Sequence, residues 1–74
     1  MNITDYKIGE LYLYEFAGEI TLDKLLSIND KSVKTITIKG FQKFFKIGYI
    51  DTFPIKHFCK YWRELTPLEK IKYL

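Results

Sequence analysis

His57 and Cys59 are the single histidine and the single cysteine of this chain, and with Asp51 and Asp5 they are the side chains that could build a nucleophile or a metal site. A thiolate–imidazole couple needs both groups within hydrogen-bond reach. The residues around them carry helical spacing, and side chains two apart on a helix point about 200° away from each other. The spacing therefore sends Cys59 to the core as an inert thiol and leaves His57 on the solvent side. One cysteine also cannot close an internal disulfide or a zinc-type cluster. The acids are scattered, with no pair placed for acid/base catalysis. Gly-rich phosphate loops, nucleophile elbows and HExxH patterns are absent from the sequence. These residues argue against an enzyme and against a bound metal or cofactor.

Cations beside aromatic residues are the chemistry that remains. The stretch from Lys39 to Trp62 holds eight of the thirteen aromatic residues and five lysines against one acid, Asp51. Lys56, Lys60 and Arg63 are spaced by four and three, which puts them on one helical stripe beside Tyr61. Lys39, Lys43 and Lys46 precede them and could join the same face. Lysine and arginine neutralise phosphates while an exposed Tyr stacks on a base, the usual construction of single-stranded nucleic-acid surfaces. Tyrosines and Trp62 would equally anchor a protein partner.

Charge is divided along the chain. Residues 1–30 carry six acids against two lysines, a balance of −4, and residues 31–74 carry ten bases against three acids, a balance of +7. A basic half favours phosphate backbones or acidic protein surfaces. The expected function is thus a non-enzymatic binding module, an inhibitor or adaptor, engaging a nuclease, nucleoprotein or nucleic acid through Lys39, Lys43, Lys46, Lys56, Lys60, Tyr61 and Arg63. A protein or nucleoprotein complex is the first expectation for the partner and nucleic acid the second, with no membrane and no small-molecule substrate. Small proteins rich in Lys, Ile, Tyr and Phe are common in phages and other mobile elements, where some inhibit host nucleases.

Seventy-four residues, 47% apolar and 18% aromatic, imply one domain with an aromatic core. No apolar run approaches the ~20 residues of a membrane span, the first residues are acidic where a secretory leader is basic, and lone Cys59 suits a reducing compartment. A cytoplasmic location is expected.

The positioning elements follow from periodicity. Ile8 to Phe16 alternates in two registers, Leu11 and Leu13 to one side and Tyr12, Tyr14 and Phe16 to the other, which predicts a strand covered on both faces. Ala17, Gly18 and Glu19 make a turn. Thr21 reads as the cap of a short helix carrying Leu22, Leu25, Leu26 and Ile28, closed by Asn29-Asp30. The β-branched run Val33 to Ile38 predicts a strand, returning after Gly40 through residues 41–50, with Phe41, Phe45 and Ile47 in the core; a helical reading of 33–50 stays open. A helix starting at Asp51 or Thr52 places Ile55, Phe58, Cys59, Trp62 and Leu65 on one buried face. Thr66-Pro67-Leu68-Glu69 is a capping-box start for a last helix, Leu68 to Tyr73. The expected fold is α+β, a three-stranded antiparallel sheet in the order β-α-β-β-α-α with helices packed on one face.

Residues 20–41, ITLDKLLSINDKSVKTITIKGF, also resemble phage-type helix-turn-helix segments. Thr21 would cap a first helix carrying Leu22 and Leu25-Leu26, and Ser32 would cap a second containing Thr35-Ile36, with Asp30 where a Gly is usual. The resemblance implies sequence-specific DNA binding as the alternative function.

Overall fold

The computed structural model describes residues 2–40 and 46–74. A 3-10 turn, Ile3–Asp5, leads into five strands and two helices: β1 (Leu11–Phe16), β2 (Glu19–Ile28), β3 (Ser32–Gly40), β4 (Ile50–Pro54), α1 (Ile55–Tyr61), β5 (Trp62–Glu64) and α2 (Pro67–Tyr73). The strands form one antiparallel sheet in the order β4-β3-β2-β1-β5. Strand β1 and the last helix stand where the sequence puts them. The three-stranded sheet with helices on one face is overturned: the described residues form five strands, and the two helices pack against opposite sides.

β2 replaces the expected helix over residues 21–28. It is the central strand, and both of its sides are covered, so Leu22 faces Leu13 while Asp23 faces Tyr12. Buried residues on both faces erase the period of two. Register shifts between Leu22 and Asp23 and between Leu25 and Ser27 disturb the alternation further, leaving leucine spacings that mimic a helix. Residues 20–41 consequently fold as strands β2 and β3 through residue 40, and the helix-turn-helix element does not form. Asn29 makes the connection, its Oδ1 accepting from the amides of Lys31 (2.8 Å) and Ser32 (2.7 Å). At the β1–β2 hairpin, Ala17 and Gly18 both have positive φ, 53° and 79°, as a type I′ turn requires.

Of the expected return strand over 41–50, the described part, residues 46–50, is corrected. β4 begins only at Ile50, and Ile47, assigned to the core, is 72% exposed. Phe41, Lys43 and Phe45 lie outside the described residues. The long helix expected from residue 51 to 65 shrinks to α1, with β4 directly before it and β5 directly after.

That α1 links the two edges of the sheet fixes its curvature. Flat, five strands would hold β4 and β5 about 19 Å apart, whereas the seven residues of α1 rise only about 10 Å. The edges curl towards each other, and the Phe53 ring of β4 comes within 4.5 Å of the Trp62 ring of β5. Inside this curl lies an aromatic core of Tyr6, Tyr12, Leu25, Val33, Phe58 and Trp62. On the other side, Leu13, Leu22 and Leu65 form a smaller aliphatic core against which Tyr73 of α2 packs.

Candidate binding surface

α1 turns Phe58 inward, fully buried, with Ile55 and Cys59 packed against the aromatic core. One turn apart on its outer side stand Lys56 and Lys60, both exposed. His57 and Tyr61 share that exposed side. Between the surface and the core runs a continuous stack of rings. Trp62 stacks on Tyr14 at 4.4 Å and 18°, and Tyr14 lies parallel to Phe16 at 6.5 Å. Tyr61 meets Tyr14 edge-on at 6.4 Å and His57 at 4.8 Å, and His57 stacks on Phe53 at 5.7 Å. Phe16 and Tyr61 remain 63% and 44% exposed, so the stack ends in open ring faces. Lys60 Nζ sits 5.3 Å from the Tyr61 centroid.

Of the seven residues that the sequence nominates, Lys56, Lys60 and Tyr61 come together here. Lys46 is exposed in the turn before β4, at the end of that strand remote from α1. Lys39 donates from Nζ to the Tyr73 carbonyl and so serves α2. Arg63 leaves the expected helical stripe because it belongs to β5. There it grips Glu69 with two hydrogen bonds of 2.7 and 2.8 Å, and these hold the Glu69 carboxyl down to about 2. Lys43 lies outside the described residues.

The edge strand beside this surface offers few free amides for strand addition. Thr35 faces Asp51, Val33 faces Phe53, and the Ile55 amide donates to the Lys31 carbonyl, so residues 51, 53 and 55 point their backbone groups inward. Ile50, Thr52 and Pro54 point outward. Pro54 has no N–H, and the Thr52 amide is taken by Asp51 Oδ1 at 2.8 Å. A partner meets side chains here rather than a free ladder.

The sequence reading missed a polar network beneath the rings. Asp23, 3% exposed, accepts from Trp62 Nε1 at 2.7 Å and from Thr37 Oγ1 at 2.9 Å, tying β2 to β5 and β3. Burial pushes its carboxyl above the ordinary range, against the pull of those two donors. Nearby on the same strand, Thr21 Oγ1 is buried with no hydrogen-bond partner among the described residues. The usable signal was Trp62 itself, since a buried indole N–H needs an acceptor. Asp23 is too enclosed to meet a substrate, and its two bonds make it a cross-strand brace. Cys59 is half-buried and burial raises its thiol, which keeps it protonated and unreactive.

Among the described residues, no group of three or more His, Cys, Asp or Glu side chains is placed to hold a metal ion, and no helix is long and apolar enough to cross a membrane. No protein-family model, curated protein or solved structure matches the chain.

Proposed function

We propose that this protein is a non-enzymatic binding module, an inhibitor or adaptor acting in the cytoplasm, that engages a nucleic acid or nucleoprotein through the outer side of α1. The observation that carries this reading is the juxtaposition of Lys56 and Lys60 with the open rings of Tyr61 and Phe16 on a rigid aromatic stack. Among the described residues neither lysine pairs with a carboxylate, so both charges are available to phosphate. Ring faces held by stacking cost little entropy when a base adds to the column, and each stacked base contributes about 1–3 kcal/mol. The lysines add a salt-dependent, sequence-independent attraction. Support for a binding rather than a catalytic role comes from the ionisable groups: Asp23 braces strands, and Arg63 and Glu69 clamp α2.

The test is fluorescence anisotropy of a labelled single-stranded oligonucleotide at two salt concentrations. Lys56→Glu with Lys60→Glu should abolish capture at low salt while thermal stability is kept, because both side chains are exposed. Binding that survives the double reversal removes α1 from the mechanism.

A further inference from the structure

We propose that the outward side of α2 is a second docking surface, fitted to an acidic amphipathic segment of a partner protein. α2 has an inverted arrangement: its largest aliphatic side chains face away from the domain. Leu68, Ile71 and Leu74 are 78%, 81% and 61% exposed, and at about 100° per residue they form one continuous stripe. Their orientation is fixed from the opposite side of the helix, where Tyr73 packs on the aliphatic core and Glu69 is clamped by Arg63. Thr66 and Glu69 lock the first turn, with Glu69 N donating to Thr66 Oγ1 at 3.2 Å and Thr66 N to Glu69 Oε1 at 2.9 Å. Rolling the stripe inward would break the Tyr73 packing and the Arg63–Glu69 clamp.

The charges around the stripe select its occupant. Lys70 and Lys72 border it on either side, and among the described residues neither has a carboxylate partner. A second copy would bring lysine-bordered stripes together and oppose like charges. A lipid surface would gain only three aliphatic side chains from two helical turns, far less than interfacial helices insert. A partner helix with an apolar seam edged by Asp or Glu satisfies both features at once. Because α1 and α2 lie on opposite sides of the sheet, both surfaces can be occupied together.

Methyl-detected NMR titration with two synthetic helical peptides tests this, one with a leucine seam bordered by Glu and one with the same seam bordered by Lys. The acidic peptide should shift the Leu68, Ile71 and Leu74 methyls. Ile71→Glu should weaken it by at least about tenfold, the scale of an interface anchor, at unchanged melting temperature. Lys70→Glu with Lys72→Glu should transfer the preference to the basic peptide. Equal response to both peptides, or no methyl shifts, overturns the proposal. So does self-association without peptide that Ile71→Glu abolishes, or the same methyl shifts produced by phosphatidylserine vesicles alone. None of these outcomes touches the oligonucleotide experiment on α1.

Discussion

Tyr12 and Leu13 are neighbours on β1, yet the two sides of the sheet that they enter are built by different chemistry. Tyr12 enters the curled side, where six buried residues and a ring stack surround the Asp23 network. Leu13 enters the other side, where three aliphatic residues suffice and α2 is held mostly by polar clamps at its rim. The aromatic side takes in Phe58 and packs against Ile55 and Cys59, so what α1 shows to solvent is mainly cationic and aromatic. The thin side accepts only Tyr73 from α2, so what α2 shows to solvent is aliphatic. The size of each core decides the chemistry of the surface above it.

The largest difference should appear on truncation. Trp62→Ala removes the centre of the ring stack and deprives Asp23 of a donor, so it should cost at least about 3–5 kcal/mol, and Leu22→Ala on the thin side about 2–3 kcal/mol. Urea denaturation measures both, and equal losses would erase the distinction between the two cores.

Asp23 sharpens the comparison through pH. Its folded carboxyl titrates above its unfolded value, so the folded chain holds this proton more tightly, and stability should rise as pH falls through the window between them. Glu69 on the other side behaves oppositely: with its carboxyl lowered from 4.5 to about 2, its contribution is complete above 4.5 and disappears as pH falls towards 2. Asp23→Asn, with its amide oxygen on Trp62 Nε1 and its NH2 on the Thr37 hydroxyl, should raise the melting temperature at pH 7. That gain should vanish on mild acidification. A lower melting temperature at pH 7 that recovers on acidification would show that the charge itself is needed. The smallest effect belongs to Thr21→Val, which exchanges a buried hydroxyl without a partner among the described residues for a methyl and should stabilise by about 1 kcal/mol.

Where one physical effect governed an element, its residues could be read in advance. β1 alternates because each face meets its own core, and Thr66, Pro67 and Glu69 start α2 by local hydrogen bonding alone. Residues 19–28 could not be read so, because their apolar spacing reflects two tertiary faces and two register shifts. Trp62 and Leu65 continued the apolar spacing of α1, but the edge of β1 offered a ladder and drew residues 62–64 out of the helix. That exit also took Arg63 from the basic stripe. The candidate surface was therefore half visible: Lys56, Lys60 and Tyr61 came from helical spacing, whereas Phe16, Tyr14 and Phe53 join them only through the curl of the sheet.

Amide NMR mapping of a single-stranded oligonucleotide onto the protein tests the central claim most directly. The account predicts shifts concentrated on residues 56–61 and on Tyr14 and Phe16, lost on raising salt, with α2 silent. Shifts centred on α2, or none at low salt, would contradict it.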